Sequence, residues 1–300
     1  MATLQDGGAR GRQLPVVSFF VVAFVWSWAR WWSAVVAGVA VTEPAGLLLD
    51  LLGVFGPLVA AIWVVYRAGS VYRRQFLRRI WDPRGITGRW WLALIAVAAG
   101  PAALGAVASS LTGRAVLAGG LTAGAVLALA GPALVASLAE EPGWRGAALD
   151  AWQTRTRPVV AAVAIGVLWS FWHLPLSFVE GSYYHELGAG SVRVWLTHLM
   201  LVLFGILLVW LANGSGGSIL VAVLAHTGFN TAMGMVAGST FRDVAVMLGL
   251  TAAASAAIIL TKGELCFPSI GALEQPGHPA AHLPPPPDEP PVADPAHELT

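Results

Sequence analysis

The 300-residue chain is 57% hydrophobic and only 11% charged, with a formal net charge of +1 and a mean hydropathy of +0.70. A soluble domain carries charge on about a quarter of its residues, so composition excludes one, and the balanced charge, without a basic stripe, excludes nucleic acid as the expected partner. The lone cysteine, Cys266, permits no intramolecular disulfide and no Cys-rich metal cluster, and reads as a small filler residue.

Residues 1–14 form a polar segment with Arg10 and Arg12. The apolar run from Pro15 is too long, and lacks a convincing small-residue cleavage site, for a signal peptide, so it reads as a first membrane helix. Further apolar runs follow at Ala45–Tyr66, Trp90–Leu111, Ala115–Ala139 with a polar continuation to Gln153, Pro158–Phe178, Val194–Ala212, Ser218–Val236 and Val244–Thr261. Each is near the roughly 20 residues a helix needs to cross the hydrocarbon and far too long for a barrel strand. The expected fold is therefore all-α, a polytopic membrane protein with about eight transmembrane helices over residues 15–261. Residues 262–300, with Pro284–Pro287, Pro290 and Pro291, cannot bury a core and read as a Pro-rich disordered cytoplasmic tail. Its histidines, His278, His282 and His297, lack metal-ligand spacing.

Arg67, Arg73, Arg74, Arg78, Arg79, Arg84 and Arg89 lie in one connection, and cytoplasmic loops retain basic residues. Placing that connection inside puts thirteen basic residues in the cytoplasm against Arg114, Arg193 and Arg242 outside, with Arg30 within the first span. The expectation is a multi-pass protein of the cell membrane with both termini cytoplasmic. Within this connection Val71–Trp81 carries Phe76, Leu77, Ile80 and Trp81 among its arginines, which suits an interfacial helix on anionic lipid and equally a solvated basic loop.

Ionisable groups inside spans cost several kcal/mol, so each needs a reason. Glu140 and Glu141 project about 100° apart on a helix, and Glu141 is four residues from Arg145, so that pair shares one face and leaves Glu140 for chemistry. His173 sits in an apolar run one turn after Trp169, whose ring can pack beside it. His226 and Asn230, also four apart, project together into one interior space. Other intramembrane protease signatures are missing: there is no His-Glu-x-x-His pair, Asn213-Gly214-Ser215-Gly216 lacks the first glycine of a rhomboid-type serine motif, and only Asp50, at a span edge, is available to an aspartyl pair.

The ordered set Glu140-Glu141-x-x-x-Arg145, Trp169-x-x-x-His173 and His226-x-x-x-Asn230 resembles the CAAX protease and bacteriocin-processing family of intramembrane endopeptidases, also called the Abi family, which includes the type II CAAX prenyl endopeptidases. The resemblance covers residues 115 to 240. The middle motif departs from the pattern, with Trp169 where the family has phenylalanine; an aromatic replaces an aromatic, which bears on packing more than on chemistry.

For these positions the resemblance implies a hydrolase of peptide bonds in a membrane-associated substrate, prenylated or not. Glu140 takes a proton from water, His173 holds that water, His226 and Asn230 donate to the oxyanion, and Glu141, Arg145 and Trp169 support them. A metalloprotease version makes Glu140, His173 and His226 ligands of a zinc ion that activates the water. The residue types suit either, so the cofactor expectation is none or Zn²⁺. The fourth span must then run from about Thr122 to Trp152 to carry Glu140 to the depth of the histidines, with Pro142 loosening the helix beside it. Two other readings compete: a non-catalytic membrane-binding or bacteriocin self-immunity protein of the same fold, and a small transporter, for which inverted repeats are missing.

Overall fold

The computed structural model describes residues 16–114, 116–117 and 122–265. The polar N-terminal segment, Cys266, the three tail histidines and the Pro-rich tail lie outside them.

Among the described residues each of the eight apolar runs forms helix over most of its length. The first is α1 (Val16–Ala37); the second is broken into α2 (Pro44–Val54) and α3 (Gly56–Ala68); a short amphipathic α4 (Ser70–Trp81) leads to α5 (Gly88–Leu111). The fourth span joins α6 (Ala123–Glu141), a π-helical segment (Pro142–Ala148) and α7 (Leu149–Gln153). Then come α8 (Pro158–Trp172) with a 3₁₀ turn (Leu174–Phe178), a short α9 (Tyr183–Leu187), α10 (Val192–Gly214), α11 (Ile219–Met235) and α12 (Thr240–Leu260). Among the described residues seven helical stretches are long and apolar enough to cross a membrane, and α11, at 17 residues, is a shorter apolar helix. The expected all-α polytopic architecture is thus present, and its eighth member is short.

Local chemistry sets the boundaries. Pro44, Pro57 and Pro158 stand in the first turns of α2, α3 and α8, where a missing N–H costs nothing. Thr122, Ser191, Ser218 and Ser239 each accept a hydrogen bond from a backbone N–H in the first turn of α6, α10, α11 and α12. In hydrocarbon such caps matter because an orphan N–H has no water to turn to.

The outward faces are apolar: Val17, Val21, Leu92, Ile95, Val167 and Leu248 are all more than half exposed. A helix set that presents large apolar side chains outward as well as inward is a membrane arrangement, with lipid covering the outside. This is a multi-pass membrane protein. The inner faces mix large aromatics, Trp31, Trp144, Trp169 and Trp172 among them, with alanines and glycines that let backbones approach. Gly166 and Gly205 bring α8 against α10: a Cβ on Gly205 would lie 3.2 Å from the Cα of Gly166.

The stretch Val71–Trp81 is helical, within α4, and one side of it packs on the bundle. Phe76 and Ile80 are buried, and so is Arg79, whose guanidinium pairs with Asp150 at the end of the fourth span (Nη1 to Oδ2 2.6 Å, Nη2 to Oδ1 3.1 Å) while its Nε donates to the Gly217 carbonyl. The Tyr72 hydroxyl donates to the same carboxylate at 2.7 Å. The arginine-rich connection is therefore fastened to the bundle.

Candidate active site

The fourth span runs unbroken as helix from Ala123 to Gln153, as the depth argument requires. Hydropathy alone ends it at Ala139, because Glu140, Glu141 and Arg145 are read as an exit to water. They are instead 4%, 0% and 0% exposed. Pro142 has no N–H to return to the fourth residue before it, and the seven residues from Pro142 adopt the wider π form. Glycines allow this wide turn to be packed on every side: a Cβ on Gly143 would fall 2.6 Å from Pro57 of α3, and one on Gly146 2.7 Å from Phe76 of α4 and 2.9 Å from Ile219 of α11.

Glu141 sits at the centre of a buried triad. Its Oε1 accepts from Arg145 Nη1 at 3.0 Å, as the four-residue spacing foretells, and lies 2.8 Å from His226 Nδ1. The second contact has no sequence signal, since the partners are 85 residues apart. A carboxylate only accepts, so Nδ1 carries the proton and Nε2 is the ring nitrogen turned to other work. The guanidinium of Arg145 also lies over the Trp169 ring, 4.4 Å from its centroid, a cation–π contact that helps a charge with few oxygen partners stay buried.

Glu140 is not left free, as the sequence reading has it. Its Oε2 accepts a 2.6 Å hydrogen bond from Trp169 Nε1. Trp169, expected to matter through packing, therefore also makes a polar contact that phenylalanine, the family's residue, cannot make. The same ring lies edge-on to both histidines, with centroids 5.7 Å from His173 and 5.4 Å from His226. One indole thus spaces the three motifs.

His173 ends α8. Its backbone N–H bonds to Ser170, in 3₁₀ fashion, and the Trp169 carbonyl that an α-helical turn would have used accepts instead from the His173 side chain, Nδ1 to O 2.8 Å. Pro175 stands in the 3₁₀ turn that follows. The local change of helix type fixes the ring's tautomer: with Nδ1 protonated, Nε2 is an acceptor. Asn230, one turn beyond His226, is exposed.

Glu140, Trp169, His173, His226 and Asn230 all line one cavity of about 480 Å³, within the range of small-ligand sites. The structure therefore brings the sequence-predicted residues together, with Glu141 and Arg145 packed behind them. It also adds residues that sequence reasoning passed over. Asp50, set aside at a span edge, lines the cavity and accepts from Trp31 Nε1 at 3.1 Å. Tyr184 lies 5.1 Å from the His173 ring, and Phe204 and Phe229 stack at 4.1 Å beside His226. Aromatics in an aromatic-rich membrane protein give no distinguishing signal.

A zinc ion needs three or four protein ligands converging within about 2.3 Å of one point. Among the described residues no group of three His, Cys, Asp or Glu side chains is gathered to hold a metal ion. Nδ1 of each histidine and one oxygen of Glu140 are engaged, which leaves Nε2 of each ring and the other Glu140 oxygen open. Among the described residues these open donors are not gathered about one point as a three-ligand zinc site requires.

Comparison with known proteins bears on the three motifs. Residues 122–232 match the family described as type II CAAX prenyl endopeptidase Rce1-like. The chain is 32% identical over 139 residues to a CAAX prenyl protease 2 of Methanococcus maripaludis, an alignment that takes in 46% of this chain and 51% of that protein. The chain spans about half the length of this curated relative. The matched family segment holds the π-helical segment, both histidines and Asn230. The resemblance read from three short motifs is thus shown: the segment that carries them is similar to the Rce1-like family of type II CAAX prenyl endopeptidases.

Proposed function

We propose that the chain is an intramembrane endopeptidase that hydrolyses a peptide bond of a membrane-associated substrate, prenylated or unprenylated, with a water activated by Glu140. The observation that carries this reading is a carboxylate held by one hydrogen bond, from Trp169, at the floor of a cavity that also presents an unprotonated histidine nitrogen and an amide.

Glu140 takes the water's proton through the oxygen that Trp169 does not hold. His173 Nε2, an acceptor because Nδ1 serves the Trp169 carbonyl, accepts a hydrogen bond from the O–H that the water keeps and so aims its lone pair at the scissile carbonyl. As the carbonyl carbon becomes tetrahedral, its oxygen gains negative charge, which the Asn230 amide N–H meets. His226 donates from Nε2 when its ring is doubly protonated, a form whose positive charge the adjacent Glu141 carboxylate balances. Glu140, now protonated, delivers that proton to the leaving amine. The apolar walls keep bulk water out, which strengthens each of these contacts.

The test is hydrolysis of fluorogenic prenylated and unprenylated peptides by purified protein. Glu140→Gln keeps the shape and an acceptor for the Trp169 N–H while removing the base, and is expected to reduce hydrolysis to background with an unchanged melting temperature. Strong chelator is expected to leave the wild type active. Inactivation by chelator with recovery on adding zinc would sink the glutamate-water chemistry, and full activity in Glu140→Gln would return the non-catalytic binding reading to first place.

A further inference from the structure

The cavity that holds Glu140 reaches past the polar centre to a second charged cluster, where α10, α11 and α12 meet. Arg242, in the first turn of α12, lines it. Its Nε and Nη2 donate to Asp243 Oδ1 at 2.8 Å and 2.6 Å, and its Nη1 donates at 2.7 Å to the carbonyl of Val236, the residue that ends α11. Arg193, in the first turn of α10, donates from Nε to the other oxygen of the same carboxylate at 2.8 Å.

Two guanidiniums therefore share one carboxylate. Fastening α10 to α12 needs only Arg193, because Arg242 and Asp243 are neighbours in sequence and their pairing joins no two elements. The second arginine leaves the cluster one positive charge in excess, although Asp243 and Arg242 are buried. A buried charge without a counter-ion is costly, so its presence in a membrane bundle asks for an anion.

Gly238 marks where that anion fits. A Cβ there would lie 2.6 Å from Arg193 Nη2 and 3.7 Å from Arg242 Nη2, so both guanidiniums turn a terminal nitrogen to one spot. The spot is open, because Gly238 is exposed and carries no side chain. Converging guanidiniums suit a carboxylate, which accepts charge-assisted hydrogen bonds on both oxygens. The cluster also stands at a defined distance from the polar centre. Val236 is six positions past Asn230, roughly 9 Å at the rise of a helix, and an extended peptide covers that span with about three residues.

We propose that Arg193 and Arg242 form a subsite for the free C-terminal carboxylate of the substrate and are specificity-determining residues. With its scissile carbonyl oxygen at Asn230, a peptide that ends about three residues later places its terminal carboxylate over Gly238. This rests on the reading of the cavity as a peptidase site, but its test reads binding, so the two fail separately.

Full-length Glu140→Gln protein is titrated into a fluorescent prenylated CAAX peptide, made once as the free acid and once as the C-terminal amide, and anisotropy reports binding. The acid is expected to bind at least about tenfold more tightly than the amide. Two further substitutions are made in this background. Gly238→Ala fills the spot; the glycine lies outside the left-handed region and its new Cβ meets the movable end of Arg193, so the fold tolerates it. Arg193→Gln removes one cation and leaves Asp243 paired with Arg242. Each is expected to bring acid and amide within about twofold of each other, with an unchanged melting temperature. Equal binding of acid and amide by the Glu140→Gln protein, binding of neither, or a preference for the acid that survives in either variant would overturn the subsite and make the arginines structural. A preference for the acid, lost in the variants, together with no hydrolysis of either peptide by the wild type would leave the subsite standing and remove the peptidase reading.

Discussion

Two of the places where this membrane protein buries an arginine against a carboxylate are built to different ends. At the arginine-rich face Arg79 gives both terminal nitrogens to Asp150 and its Nε to a carbonyl, and Tyr72 adds a further donor. At the cavity floor Arg145 gives one nitrogen to Glu141, while its Nε and Nη2 and the other Glu141 oxygen have no hydrogen-bond partner among the described residues. The first is a saturated network, which fixes geometry. The second is under-satisfied and adjoins Glu140 and His226, so its groups keep hydrogen-bonding capacity, a property wanted near a reacting centre and costly elsewhere.

Single-partner deletions sharpen that contrast. Arg145→Ala strands the Glu141 carboxylate, and Arg79→Ala strands Asp150; each removal from a buried pair costs about 3 to 5 kcal/mol, read as a fall in melting temperature or in folded yield. The difference lies in activity: Arg79→Ala protein that does fold is expected to hydrolyse peptide near the wild-type rate, whereas folded Arg145→Ala is not. Equal activity in the two would break the distinction between fastening and site. Asn230→Ala removes one oxyanion donor, and its expected effect is a turnover lower by about 100- to 1000-fold with an unaltered thermal melt.

Trp169→Phe is a smaller and more selective probe, because it restores the family's aromatic while deleting the N–H that holds Glu140. A loss of about tenfold in kcat, roughly 1.4 kcal/mol, is expected, with KM nearly unchanged; a rise in KM alone would mean that the indole shapes the cavity and does not position the base. Arg84→Ala tests the other extreme, an ion pair at the surface. Arg84 holds the Asp82 carboxyl down to about 2, mainly through hydrogen bonding. A depressed carboxyl favours the fold above its unfolded value and loses that contribution as pH falls toward 2, yet exposed pairs are screened and contribute little. Calorimetry at pH 7 is expected to show no change in melting temperature, and hydrolysis should not move.

The positions of the eight apolar runs, the Glu141–Arg145 pair and the shared face of His226 and Asn230 follow from the sequence, because hydrophobic period and helical spacing are local properties. Even the buried continuation of the fourth span was legible there, since carboxylates at the depth of the histidines demand it, although the π form of its second half was not. What local spacing cannot express is which groups from different helices meet. The His226–Glu141 contact joins residues 85 apart and the Trp169–Glu140 bond residues 29 apart, and both arise from how α6, α8 and α11 close on one another. What lies beneath the polar floor is likewise a tertiary fact. The sequence determined which end of the bundle carries the arginines, but only packing buried Trp144, Leu149 and their neighbours between that end and the floor, because close packing depends on volumes filled by residues distant along the chain.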